Sequence, residues 1–205
     1  MKAIWIDAGN DAAYHKLAAA GIDAPYFDIR DPRVTKPYLL GVRDQLKAVS
    51  GRPAFPGVYA AWNWYPTLDG AGFAEKVSAL LEPIAKDTAP TFPGVCLNAE
   101  THDVSYIVAM LDRWRALRAK RTTSWTLEGY QGGLFDAVAR IHIAAAKVSI
   151  QPQAYTGAMV PYDAIDVYRN LVVHGFPPAQ VEIMYDAAHL PAAWSGSCFT
   201  QGRLP

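Results

Sequence analysis

Short strand-like runs alternate with longer helix-like runs along the chain, and the strand-like runs are apolar on one side only. Strand candidates are residues 3–7, 25–30, 57–64, 94–100, 124–128, 148–153 and 181–186, with a last one around 197–201. The clearest helix candidate is 103–120, where Val104, Ile107, Val108, Leu111, Trp114 and Leu117 recur at spacings of three and four. Residues 69–86 repeat this with Phe73, Val77, Leu80, Leu81 and Ile84. Residues 163–174 do so with Ile165, Tyr168, Leu171 and Val172, stopping before Gly175 and Pro177. Shorter versions occupy 134–145 and 38–49.

Strands separated by helices imply parallel pairing through right-handed crossovers. A unit of roughly 25 residues repeated eight times fills the 205-residue chain, the lower end of the range for a (β/α)8 barrel. An open doubly wound sheet is the rival, but its strands are covered on both faces and read as near-continuous apolar runs. Here Phe27 and Ile29 oppose Tyr26, Asp28 and Arg30, while Val95, Leu97 and Ala99 oppose Cys96, Asn98 and Glu100. Val148 and Ile150 oppose Ser149, Gln151 and Gln153; Val181 and Ile183 oppose Glu182, Met184 and Asp186. A barrel explains this, with one face of each strand against helices and the other inward. The expectation is one compact α/β barrel domain over 1–205. Between Asp186 and Ser197 a full helix does not fit, so the seventh return is irregular or the ring is incomplete.

Hydrophobic residues make up 51% of the chain, enough for one sizeable core. Lysine plus arginine equals aspartate plus glutamate at 19 each, which argues against long-range attraction to nucleic acid. The basic cluster of Arg113, Arg115, Arg118, Lys120 and Arg121 reads as the solvated face and C-terminal end of a helix. Cys96 and Cys198 fall in strands on opposite sides of the expected ring, so free thiols are expected. The opening Met1-Lys2-Ala3-Ile4-Trp5-Ile6-Asp7 reads as entering a strand at once, so no signal peptide is expected. No run approaches the roughly 18 apolar residues of a membrane helix, so no membrane insertion is expected.

Sites in such barrels lie at the C-terminal ends of the strands. The polar residues expected there are Asp7, Asp28, Arg30, Asn63, Asn98, Glu100, Glu128, Gln151, Gln153 and Asp186, beside Trp62, Trp64, Tyr65, Tyr130, Tyr155 and Tyr185. Flat rings with polar handles suit sugar faces, while acids and amides suit hydroxyls. Two carboxyl groups across a glycosidic bond are also the minimum for its hydrolysis. Glu100 is the candidate proton donor and Asp7 its partner, with Glu128 or Asp186 in reserve. The alternative is that these groups form a buried hydrogen-bonded network that closes the barrel.

Ile4-Trp5-Ile6-Asp7, Gly57-Val58-Tyr59 and Leu97-Asn98-Ala99-Glu100 resemble the glycoside hydrolase family 25 lysozymes. Those are barrels that cleave peptidoglycan glycan strands. The resemblance implies that Asp7 matches the acid ending the first strand and Glu100 the proton donor of the fourth. Asn98 stands where that family has the first acid of Asp-x-Glu, and Gln151 and Gln153 stand where it has another. An amide cannot act as a carboxylate nucleophile. The chain is also similar in style to glycosidase-like minor tail proteins of actinobacterial phages. That likeness implies a virion component with other tail proteins as neighbours and cell-wall polysaccharide as ligand. Outside a virion, a cytoplasmic protein is expected. Two readings stand: a barrel that acts on or binds wall glycan, and a non-catalytic structural or adhesion barrel of a tail.

Other signals are weaker. Glu100, His102 and His189 lack the spacing of a metal centre, and His15, His142 and His174 fall on helices. Gly70-Ala71-Gly72 opens a helix without a dinucleotide fingerprint, and the loop 129–133 reads as a turn before a helix. No nucleophile elbow occurs. Neither metal nor cofactor is expected.

Overall fold

A computed structural model describes residues 2–9, 13–85, 94–118, 125–129, 136–146, 149–152, 172–173, 175, 183–186 and 198–201. Eight strands appear among them: β1 (Lys2–Trp5), β2 (Ala24–Asp28), β3 (Gly57–Ala61), β4 (Gly94–Asn98), β5 (Trp125–Gly129), β6 (Ser149–Pro152), β7 (Ile183–Asp186) and β8 (Cys198–Gln201). Five helices stand between them: α1 (Ala13–Ala19), α2 (Lys36–Ser50), α3 (Gly70–Ala85), α4 (Val104–Arg118) and α5 (Ala137–Ala146). The expected helix over 163–174 and the last return fall largely outside the described residues.

The strands form a single sheet in the order β6-β5-β4-β3-β2-β1-β8-β7, and every described pairing is parallel. The first strand pairs with the last on one side and with β2 on the other, as a sheet curling into a barrel requires. The two ends of the order, β6 and β7, approach each other within 8 Å at Cα. The architecture is barrel-like, with strands that all point one way.

The period of two in β2 to β4 sorts side chains as the sequence implies. Phe27, Ile29, Val58, Ala60, Val95, Leu97 and Ala99 join the core shared with the helices. That core also takes Leu39, Val42 and Leu46 of α2, Phe73, Val77 and Leu81 of α3, and Ile107, Leu111 and Trp114 of α4. Ala24, Tyr26, Ala61, Cys96 and Asn98 are buried outside this cluster, on the other side of the strands. The Cys96 side chain is fully buried.

Helix starts are fixed by side-chain caps that satisfy amide groups with no partner inside the helix. Tyr38 N donates to Thr35 Oγ1 for α2, and Gly72 N to Asp69 Oδ1 for α3. Ser105 and Tyr106 N donate to Asp103 Oδ1 for α4, and Val138 N to Asp136 Oδ1 for α5. The Ser105 hydroxyl and these amides hold the Asp103 carboxyl below its ordinary range.

β3 ends sooner than its sequence suggests. The expected strand runs to Trp64, but Trp62–Trp64 form a single 3-10 turn, with Tyr65 N donating to Trp62 O at 3.0 Å. An extended chain would put both tryptophans on one face. The turn separates them: Trp62 meets Tyr106 of α4, and Trp64 meets Tyr59. Pro66, next in the chain, also disfavours continuation.

On the sheet face opposite the helices, Tyr26, Gly57 and Gly94 lie at one level. A Cβ on Gly57 would stand 2.6 Å from the Tyr26 ring and 2.7 Å from Gly94 O, so only glycine lets the ring lie there. Gly57→Ala should therefore destabilise the fold by about 1–3 kcal/mol, measured as a lower urea midpoint at unchanged slope. A midpoint within error of the parent would refute the packing account.

Candidate functional site

Parallel strands deliver their carboxyl ends to one rim. Asp7 follows β1, Asp28 closes β2, the Trp62–Trp64 turn follows β3, and Asn98 and Glu100 end β4. Glu128 neighbours Asn98 in the sheet register, and Gln151 neighbours Glu128. Asp186 ends β7 beside Gln201. The side chains of Glu128, Gln151 and Asp186, and the whole of Gln153, Tyr130 and Tyr155, lie outside what the structure describes.

At the end of β4, Asn98 Nδ2 donates to Glu100 Oε1 at 2.9 Å. Asn98 is 3% exposed, and its Oδ1 has no hydrogen-bond partner among the described residues. Glu100 is half-buried. This couple holds one carboxylate and one unmatched amide oxygen, both of which only accept.

The segment Asp28-Ile29-Arg30-Asp31-Pro32-Arg33 folds into two consecutive clamps. Arg30 N and Nε donate to Asp28 Oδ1 at 2.8 and 3.1 Å, and Nη2 donates to Oδ2 at 2.8 Å. Arg33 N and Nε donate to Asp31 Oδ1, both at 2.9 Å, and its Nη2 pairs with Oδ2. The guanidinium of Arg33 holds the Asp31 carboxyl down at about 2. Each clamp then reaches a neighbouring loop. The Arg30 guanidinium lies over the Trp64 ring, 3.5 Å from its centroid. Arg33 Nη1 stands 2.9 Å from where a Cβ on Gly9 would be, and Gly9 N donates to the Tyr38 hydroxyl at 3.0 Å. The loop after β2 is thus pinned to those after β1 and β3.

Tyr59 lies between these groups, level with Asp28 and Cys96 in the register. Its ring meets Trp64 at 5.5 Å between centroids. Burial pushes its phenol up to about 12; the charges of Asp28 and Asp7 add to this and Arg30 opposes it. The charges of Asp7, Asp28 and Arg30 all act on this one tyrosine. Trp64 has one face occupied by Arg30, so its use as a sugar platform requires a ligand on another edge or displacement of the guanidinium. Asn63 is exposed on the 3-10 turn. Trp62 and Tyr65 pack towards the core shared with the helices.

Sequence reasoning found Asp28 and Arg30 but not their bond; it gave Tyr59 no site role and did not single out Asp31 or Arg33. The tandem Asp-x-Arg was the available signal. An aspartate accepts readily from the backbone two residues on, and an arginine there brings a second set of donors.

Among the described residues no group of three or more His, Cys, Asp or Glu side chains is placed to hold a metal ion. A surface groove of about 410 Å³ between α4 and α5 is lined by Asp112, Arg115, Ala116, Ile141, His142 and Ala145, with His142 Nδ1 2.9 Å from Asp112 Oδ1. It lies among helix residues, away from the strand ends. Arg113 pairs with Glu75 of α3 on the same outer layer, as expected for a solvated basic helix face.

The raised phenol of Tyr59 gives a pH signature. A folded pKa of about 12 against 10 unfolded means that its contribution to stability is whole below pH 10 and is lost as pH rises through about 12. Tyr59→Phe should flatten stability over that window and remove one late phenol from the ultraviolet titration of tyrosinate. An unchanged titration would contradict the burial of Tyr59.

No family model matches the chain, and neither does any curated protein. Solved structures do resemble it. A GH18 chitinase from Pseudoalteromonas aurantia aligns over 99% of this chain and 94% of its own, with TM-score 0.64 and 10% identity. Fructose-bisphosphate aldolase from Campylobacter jejuni aligns over 98% of this chain and 70% of its own, with TM-score 0.59 and 11% identity. A 2,3-dimethylmalate lyase aligns over 98% and 75%, with TM-score 0.55 and 10% identity. Their chemistries differ and their identities are low, so the likeness speaks to fold alone: the chain is similar to TIM-barrel-like proteins.

Proposed function

We propose that the chain is a barrel, closed along the β6–β7 seam, that binds bacterial cell-wall glycan at the carboxyl ends of its strands. The observation that carries the reading is the gathering of Glu100, Asn98, Tyr59, Trp64 and the Asp28–Arg30 clamp at the ends of three adjacent strands. Carboxylate and amide oxygens suit sugar hydroxyls, and indole and phenol rings suit the apolar faces of pyranoses. The resemblance to family 25 lysozymes points to saccharides, and a chitinase shares the fold. The phage-tail setting, with tail proteins as neighbours, rests on the sequence resemblance alone.

Hydrolysis is the second reading, favoured by the half-buried Glu100. It assigns proton donation to Glu100 and the partner role to Asp7. Binding without cleavage is favoured by Asn98, which puts an amide beside Glu100 where hydrolysis would use a second charge. Asp7 and Glu100 also follow strands three steps apart in the sheet, about 14 Å along it at roughly 4.8 Å per step. Only side chains reaching inward from both strands would bring them to the roughly 5–9.5 Å between the two carboxyl groups of glycosidases.

Co-sedimentation with purified peptidoglycan tests the reading. The protein should pellet with the wall, and Trp64→Ala should weaken retention about tenfold, as loss of an aromatic contact and of the shelf under Arg30 implies. Failure to pellet would remove the proposal. Release of muropeptides that Glu100→Gln abolishes would establish the hydrolytic reading instead.

A further inference from the structure

The Arg30 guanidinium is held from two directions just after β2. Its Nε and Nη2 donate to the Asp28 carboxylate at 3.1 and 2.8 Å. Its carbon centre stands 3.5 Å from the middle of the Trp64 ring. The indole itself is hemmed in. Arg30 covers one face, the Tyr59 ring meets it at 5.5 Å between centroids, and it packs partly buried against the core shared with the helices. The Arg30 side chain, by contrast, is 45% exposed. The bonds to Asp28 use the Nε–H and one N–H of Nη2, which leaves the second N–H of Nη2 and both of Nη1 on the edge turned away from Asp28. One N–H from each terminal nitrogen points the same way along that edge, the fork with which a guanidinium takes two oxygens at once. Lifting the group off the indole would break charge-assisted hydrogen bonds and a cation–π contact together.

We propose that Arg30 is the ligand-facing, specificity-determining group at this part of the rim, and that Asp28 and Trp64 are its positioning residues. This deepens the glycan-binding reading, on which it rests. The saccharide edge that docks here presents paired oxygen acceptors, adjacent hydroxyls or a carboxylate, to the free edge of the guanidinium. Asp28 fixes the plane of the fork, and Trp64 is the shelf beneath it. A lysine could not replace it, because an ammonium has no planar fork for the same two residues to orient. The opposite arrangement, a pyranose stacked on Trp64, carries the opposite sign: there Arg30 blocks the platform, and its removal improves binding.

Co-sedimentation of the intact protein with purified peptidoglycan separates the two. Arg30→Ala should weaken retention about tenfold, and Arg30→Lys should recover little of the loss. Because Trp64 acts through Arg30, the double variant with Trp64→Ala should also lose about tenfold, where independent contacts would multiply to about a hundredfold. Asp28→Asn should weaken retention about threefold. In the free, isotope-labelled protein, the Arg30 Nε–H resonance should sit upfield over the indole and lose that shift in Asp28→Asn and in Trp64→Ala. Circular dichroism checks the fold of each variant; should Trp64→Ala unfold, the two variants of the exposed Arg30 still decide. An Arg30-dependent part of the retention that added salt removes identifies carboxylate oxygens, and one that persists identifies hydroxyls; both support the inference. Retention that Arg30→Ala leaves unchanged or tightens, or a hundredfold loss in the double variant, would overturn it and leave the glycan reading standing. No retention of the parent protein would overturn both.

Discussion

The sheet face opposite the helices depends on one steric arrangement: the Tyr26 ring laid across the backbone of Gly57 next to Gly94. Three neighbouring strands meet at that level, and two of them contribute no side chain to it. Residues two positions further along each strand then stand one layer higher. Asp28, Tyr59 and Cys96 form that layer, and Ala61 and Asn98 share the one above it. The depth at which polar groups become accessible follows from this stacking. Interdigitated layers of side chains are how small barrels avoid a hollow centre.

Burial and polarity grade along the same axis. Cys96 is fully buried, Asn98 nearly so, and Glu100 partly exposed, all in alternate positions of one strand end. Such a gradient keeps the carboxylate hydrated enough to remain tolerable while the amide below it is held in a fixed direction. The outer layer behaves differently. Its polar contacts, the Arg113–Glu75 ion pair and the His142–Asp112 contact, join neighbouring helices at the surface and contribute little individually.

Much of the architecture was legible in the sequence because it rests on periodicity. All eight strand candidates coincide with observed strands within a few residues, since alternation such as Val95, Leu97 and Ala99 against Cys96, Asn98 and Glu100 has one geometric solution beside helices. The early end of β3 was not legible: Trp62 and Trp64 alternate as strand residues do, and only their separate partners, Tyr106 and Tyr59, draw them into a turn. Of the site, the rim residues Asp7, Asp28, Asn98 and Glu100 followed from topology. The bonds among them did not, because the choice of Arg30 between Asp28 and open solvent, or of Asn98 between Glu100 and another neighbour, is decided by distances that spacing does not encode.

The twin clamps after β2 have a consequence for how anything docks. Six consecutive residues are tied down by their own short-range bonds before a ligand arrives, and two long, rotamer-rich arginines have already given up their freedom. On the glycan-binding reading, the partly exposed ends of Arg30 and Arg33 need less further ordering on contact than free side chains of that length, which lowers the entropic cost of meeting a partner there.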